Sequence, residues 1–307
     1  MAGAPADGVT TPAGLPEREF AYTGRDFERV RALIRGRVGI ALNDSKQNMV
    51  YNRLVKRVRA LRVESFADYL ARLDDPAHEE WQHFVNALTT NLSHFFREEY
   101  HFPILSEHVK ALGRPQLRIW SAAASTGEEP YSIAMTLCEA FGTLTPPASI
   151  VATDVDTAVL ETAQRGIYPL ERVEPVSPER LKRFFLCGTG GNTGYARVRP
   201  ELARLIQFKR LNLSDVRWDL QGSFDAVFCR NVMIYFDKPT QRTLVERFAA
   251  LLKPNGLFFA GHAESLLDQG RHFRLRGQTV YEKIGTTVTR GEMAHPFSDR
   301  DLSPKVA

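Results

Sequence analysis

Cysteine is scarce in this chain: Cys138, Cys187 and Cys229 stand alone among 307 residues. An odd and scattered set offers neither a disulfide framework nor a four-thiolate metal site, and it fits a reducing compartment. Long apolar runs are also missing. Stretches such as Ile150-Val151-Ala152 and Leu257-Phe258-Phe259-Ala260 fall far short of the roughly 20 residues that cross a bilayer as a helix, so a helical membrane protein is excluded and no membrane insertion is expected. Residues 1–19, rich in Ala, Gly, Pro and Thr, lack a basic start followed by an apolar block and read as a flexible lead rather than a signal peptide. The expected location is cytoplasmic. There is no arginine-glycine tract, RNA-binding aromatic motif or cysteine-histidine finger, so nucleic acid is not an expected partner.

The net charge is only +4, but its distribution is uneven. Between Arg25 and Arg62 there are eleven basic and three acidic residues, a local balance of +8 that leaves the remainder net acidic. Met49, Val50, Leu54, Val58 and Leu61 recur at helical spacing, with Asp44 or Ser45 as the expected cap. Arg53, Lys56, Arg57 and Arg59 fall mainly on the wetter side. Such a face attracts nucleic acid, anionic membrane or an acidic protein surface, or is simply solvated while its stems cover apolar surface.

The organisation is that of roughly two domains. Residues 20–88 read as short helices at Gly24–Ile34, Ser45–Arg59, Ser65–Leu73 and Pro76–Thr89, with Gly36 and Gly39 as breaks. The rest, 89–284, reads as a three-layer α/β domain. It opens with a βαβ unit: strand Leu117–Trp120, loop Ser121–Glu129, helix Pro130–Phe141, strand Ser149–Thr153. Further strands fit Ile206–Leu211, Phe224–Cys229, Gly256–Ala260, Phe273–Leu275 and Val280–Glu282. The closely spaced last pair suggests an antiparallel addition. Prolines and a glycine-rich turn at 188–194 mark a small inserted β-subdomain at about 166–200, and residues 285–307 read as a flexible tail.

Ser121-Ala122-Ala123-Ala124-Ser125-Thr126-Gly127-Glu128-Glu129-Pro130, after a strand and before a helix, permits close approach of a ligand, with Gly127 free to take angles closed to other residues. Asp154, at the end of the second strand, is placed to accept from ribose hydroxyls, whereas Asp156 suits a helix cap. A single glycine and two glutamates disfavour a pyrophosphate. A cofactor with an adenosine and positive groups, such as S-adenosylmethionine, suits them better, with Glu128 against its amino group and Glu129 stabilising the helix start. Arg230 and Asn231 follow an apolar strand, Asn212 ends another, and Cys229 reads as packed structure.

The blocks NLSHFFRE (91–98), RIWSAAASTGEEPYSIAM (118–135), ATDVDTAVLETAQRGIYP (152–169), FDAVFCRNVMIYFD (224–237) and LLKPNGLFFAGHAES (251–265) together resemble the CheR-type chemotaxis receptor methyltransferases. The resemblance covers residues 20–284. It implies a helical N-terminal domain, a seven-stranded S-adenosylmethionine-dependent domain and an inserted β-subdomain. The activity implied is methyl transfer to receptor glutamates, giving methyl esters and S-adenosylhomocysteine without a metal. It further implies cofactor roles for Asn91, Ser93, Arg97, Glu128, Asp154, Asn212, Leu213, Arg230 and Asn231. Ser93 stands where many relatives have threonine, and His262-Ala263-Glu264 replaces the frequent His-Ser-Glu. Arg97 would orient the acceptor carboxylate and Tyr235 complete its pocket, unless Arg97 forms an ion pair with Glu98 or Glu99. Arg53, Lys56, Arg57 and Arg59 would meet the receptor's acidic cytoplasmic helices, and the β-subdomain would dock a receptor's C-terminal peptide. The alternatives are a methyltransferase with another acceptor and a receptor-binding module whose catalytic domain has degenerated.

Overall fold

A computed structural model describes residues 18–264 and 271–284. Nearly all of the expected lead, and the whole of the expected tail, lie outside the described residues.

The first helix, α1 (Gly24–Val38), starts at Thr23 in a reciprocal cap with Asp26 and buries Phe27, Val30, Ile34 and Val38. It therefore runs through Gly36, which sequence reading makes a break. Extending the apolar stripe to Val38 outweighs the roughly 1 kcal/mol that one helical glycine costs. The stop is Gly39, at φ 76°. A Cβ at Gly39 would lie 2.9 Å from the Phe236 ring and closer still to the Ser214 hydroxyl, so glycine here lets the end of α1 close onto the second domain.

The second helix, α2 (Gln47–Leu61), follows a single 3-10 turn at Asp44–Lys46. Neither Asp44 nor Ser45 caps it: the turn supplies its own bond, Lys46 N–H to Asn43 C=O at 3.0 Å, and Asp44 pairs with Arg31 at 2.8 Å instead. Next come α3 (Phe66–Ala71), capped by Ser65, and α4 (Glu80–Leu88), shorter than the expected Pro76–Thr89 because residues 75–79 form turns. These helices enclose a core that includes Val50, Leu54, Phe66, Tyr69, Phe84 and Leu88.

The second domain begins with α5 (His101–Leu112), β1 (Leu117–Ser121), α6 (Glu128–Phe141), β2 (Ala148–Asp154) and α7 (Thr157–Arg165). An insertion follows: β3 (Ile167–Pro169), α8 (Leu170–Val173), α9 (Pro178–Phe184), β4 (Phe185–Cys187) and β5 (Tyr195–Val198). The chain then returns through α10 (Pro200–Ala203), β6 (Ile206–Arg210), β7 (Phe224–Cys229), α11 (Lys238–Leu251), β8 (Leu252–Ala260), β9 (Phe273–Gly277) and β10 (Val280–Lys283).

The main sheet has seven strands in the order β6-β2-β1-β7-β8-β10-β9. The first five are parallel, with Ile119 of β1 opposite Ile150 of β2 and Ala226 of β7; β10 is antiparallel to both its neighbours. Alternation along β1 sends Ile119 into the layer that holds Phe102 and Ile133, and Trp120 into the layer that holds Phe248 and Phe258. Helices therefore cover both faces, as a buried parallel sheet requires. The insertion makes a separate three-stranded antiparallel sheet in the order β3-β5-β4. The strand order reverses between β1 and β7, so the crevice beyond their carboxyl ends is the expected ligand position.

Candidate active site

That crevice is a cavity of about 480 Å³, walled by the carboxyl ends of the strands on one side and by the helical domain on the other. Its size suits a cofactor. Of the nine residues expected to meet the cofactor, Asn91, Ser93, Arg97, Asp154, Asn212, Leu213, Arg230 and Asn231 line it, as does Tyr235. Glu128 does not.

The correction at Glu128 follows from helix geometry, since consecutive residues project about 100° apart and only one of two adjacent glutamates can face the cavity. Glu128 is fully buried on the other side, bonded by Arg172 and by the Thr126 hydroxyl at 2.7 Å. Glu129, assigned above only to the helix start, lines the cavity. Its carboxylate accepts from the Ser121 hydroxyl at 2.8 Å and from Arg230 at 3.2 Å, and burial pushes its pKa up. Gly127 immediately before it takes φ 99°, and a Cβ there would meet Ala163 and the Tyr168 hydroxyl at 2.8 Å, so the loop turns there only with glycine.

Asp154 ends β2 and accepts the Ser125 N–H at 2.8 Å and the Asp156 N–H at 3.0 Å. Burial dominates over these bonds and raises its pKa to about 6. Asp156 caps α7 through the Ala158 and Val159 N–H groups. It also accepts from the Thr89 hydroxyl and the Asn91 amide, each at 2.7 Å. The cap thereby holds the segment that joins the two domains, and with it Asn91.

Arg97 follows two anchored aromatics. Phe95 packs edge-on against Tyr168 and Phe185, while Phe96 packs against Phe102 and lies under the Arg180 guanidinium at 4.0 Å. Arg97 donates to the Leu92 C=O at 2.9 Å, and among the described residues it pairs with neither Glu98 nor Glu99. Glu98 instead meets Arg230 at 3.5 Å, His262 at 3.0 Å and the Asn231 amide at 3.2 Å. Although burial opposes it, these partners hold its pKa down at about 2. Phe96, Glu98, Ser125 and Asn231 all have φ between 49° and 58°. Such a cluster of non-glycine residues in the left-handed region marks a site whose surroundings enforce its shape.

Arg230 is 6% exposed and contacts Glu129, Glu98 and the Arg97 C=O, yet its Nε has no partner among the described residues. That nitrogen is itself buried, so what Arg230 offers the cavity is its positive charge. Asn212 donates to the Arg37 C=O at 2.9 Å and to Asp215 at 2.8 Å. Cys229 is buried and its thiol pKa is pushed well up by burial, which suits packing rather than chemistry. Two carboxylates and one guanidinium lining the same cavity form a set suited to an adenosine carrying an ammonium and a carboxylate, so the residues present fit S-adenosylmethionine.

The helical domain's contribution to the cavity was not foreseen. Ile40, Leu42, Lys46, Met49 and Arg53 line it, and the Ala41 N–H donates to the Tyr235 C=O at 2.8 Å. The recurrence of Met49 in an apolar stripe was legible, but not that this end of the stripe faces another domain.

The basic residues of α2 are not equally free. Arg53 donates to the Leu88 and Thr89 carbonyls at 3.1 and 2.6 Å, satisfying the end of α4. Arg57 makes a two-pronged pair with Glu80, at 2.8 and 2.7 Å, and Glu80 is 1% exposed. Arg59 is exposed and pairs with Glu19, while Lys56 is exposed.

Residues 91–282 match the family described as CheR methyltransferase, SAM binding domain, and residues 25–89 match CheR methyltransferase, all-alpha domain. The chain belongs to the CheR methyltransferases. It is 55% identical over 280 residues to chemotaxis protein methyltransferase 2 of Pseudomonas aeruginosa, covering 89% of this chain and 98% of that one. It is 52% identical over 265 residues to chemotaxis protein methyltransferase of Salmonella typhimurium, covering 86% and 92%. The corresponding Escherichia coli protein is 51% identical over 263 residues, covering 85% and 92%. This CheR chain is an S-adenosylmethionine-dependent enzyme of the protein-glutamate O-methyltransferase class, and nothing in its relatives favours a degenerate binding module.

Proposed function

We propose that the interdomain cavity holds S-adenosylmethionine beside an incoming receptor glutamate, with the following division of work. Asp154 accepts from the ribose hydroxyls, Glu129 balances the ammonium, the positive charge of Arg230 balances the cofactor's carboxylate, and Asn212 and Leu213 border the base. Asn91 and Ser93 close the rim from the linker. Arg97 orients the acceptor carboxylate through its planar donor pair, and Tyr235 completes the acceptor pocket. When bound, the cofactor supplies an electrophilic methyl on a sulfonium. An ionised glutamate needs no general base to take it, so the protein's work is alignment and exclusion of water.

The single observation that carries this reading is the convergence in one cavity of Asp154, Glu129 and Arg230 with the otherwise uncommitted Arg97. Among the described residues no helix is long and apolar enough to cross a membrane, and a cytoplasmic site of action facing receptor signalling helices accords with that. For the receptor's C-terminal peptide we infer the small sheet: β3 and β4 are both edges, and Ile167, Leu186 and Tyr195 are 42%, 41% and 47% exposed.

The test is incubation with labelled methyl donor and receptor signalling domains, with and without the C-terminal peptide, followed by mapping of base-labile esters. Labelled glutamates are expected, at a higher rate when the peptide is present. No ester on any glutamate would overturn the acceptor assignment, and equal rates would overturn peptide docking.

A further inference from the structure

Glu264 does not line the cavity, is 5% exposed, and spends its whole carboxylate on backbone. One oxygen accepts the N–H groups of Asn231 at 2.8 Å and Gly261 at 2.7 Å, and the other accepts the Met233 N–H at 2.7 Å. Gly261 follows the end of β8, while Asn231 and Met233 lie just beyond β7. Met233 opens the 3-10 turn Met233–Tyr235. One side chain therefore ties the ends of two neighbouring strands together at the segment that carries Asn231 and Tyr235.

That segment needs a tie. Asn231 sits at φ 58°, a left-handed conformation that asparagine adopts more readily than other non-glycine residues and that neighbouring bonds here fix in place. Its backbone is held by Glu264 and its amide by Glu98 at 3.2 Å. Gly261 lies against the same backbone, where a Cβ would fall 2.8 Å from the Asn231 nitrogen. Three N–H donors converge on one buried carboxyl group; burial raises its pKa while these bonds oppose the rise, and a glutamine amide, with one acceptor oxygen, cannot satisfy all three.

We propose that Glu264 is a positioning residue: by fixing the backbone of Asn231 and the Met233–Tyr235 turn, it sets where Asn231 and Tyr235 meet the cofactor and the acceptor glutamate. This rests on the function proposed above. The middle position of His262-Ala263-Glu264 is then free to vary, because the work lies in the glutamate.

Two substitutions perturb the segment from opposite sides. Glu264→Gln keeps the volume but turns an amide NH₂ toward at least one of the three donors. Gly261→Ala keeps the carboxylate and pushes on Asn231. Calorimetric binding of S-adenosylhomocysteine by the full chain is expected to weaken about tenfold in each, with receptor methylation falling further. In an Asn231→Gly background, Glu264→Gln is expected to add less than about threefold, because both act on one segment. Folded Glu264→Gln protein that binds and turns over as wild type overturns the proposal, as do losses that multiply in the double variant. If Glu264→Gln does not fold, Gly261→Ala decides by the same criteria. Wild-type protein that neither binds the product nor methylates receptor would instead overturn the function on which the proposal rests.

Discussion

At the scale of single residues, Arg97 and Asp154 are the two side chains whose loss separates transfer from binding. Among the described residues the Arg97 side chain bonds only the Leu92 C=O, and it stands on a loop anchored by Phe95 and Phe96. Arg97→Ala should therefore leave the melting temperature within a few degrees of wild type while lowering methyl transfer about a hundredfold, the scale of loss from misaligned reactants. Transfer at the wild-type rate would remove Arg97 from the reaction. Asp154 has its pKa raised to about 6 by burial. Ribose hydroxyls donate to the ionised form, so affinity for S-adenosylhomocysteine should be highest above pH 6 and fall as the pH drops through that value. Asp154→Asn should bind weakly and lose most of this dependence; an unchanged acid limb in that variant would assign it to Glu129, whose pKa shifts in the same direction. Asp154 was legible because it ends a strand whose period was clear, whereas Arg97 lies in an aperiodic junction and was legible only through the resemblance to a family. The partnership of Glu98 with Arg230, His262 and Asn231 was not, since it joins three segments far apart in the chain.

At the scale of elements, the start of α6 shows where sequence reading runs out. Adjacent glutamates at a helix start announce a polar site, but which one faces a ligand depends on the rotation of the helix, and that is set by packing on the sheet. Glu129→Gln should weaken S-adenosylhomocysteine binding about tenfold with little change in stability. Glu128→Gln should do the reverse, loosening its contacts with Arg172 and Thr126. The opposite pattern in calorimetry and thermal melts would restore Glu128 to the cavity. In α2 the apolar stripe was clear, whereas the burial of Glu80 against Arg57 was not, because nothing in α4 alone says that its first glutamate points inward. Arg57→Ala leaves Glu80 buried without its counter-charge. It should lower urea-measured stability by about 3 kcal/mol; a loss under about 1 kcal/mol would return Arg57 to the free surface.

At the scale of the whole molecule, the helical domain is a wall of the site as well as a candidate receptor-binding surface. Gly39, the Ala41 bond to Tyr235, the Asn212 bond to Arg37 and the Arg35–Asp237 pair all cross between the domains. Two domains, a parallel sheet and an inserted subdomain could be read from changes of period along the chain. Their closure over the cofactor position could not, because it depends on small residues and backbone groups with no periodic signature. With Arg53 and Arg57 engaged internally, the proposed receptor steering would rest on the exposed Lys56 and Arg59. Reversing both should weaken receptor capture at low salt, with the deficit shrinking at high salt; a salt-independent or absent deficit would place the receptor elsewhere. If the donor lies between the two domains at the carboxyl ends of the strands, a crystal structure of the complex with S-adenosylhomocysteine will show it there. The ribose is expected against Asp154, the amino group at Glu129 and a path open to Arg97 and Tyr235. Product bound outside this cavity, or a bound form with no room for an acidic side chain beside the sulfur, would contradict it.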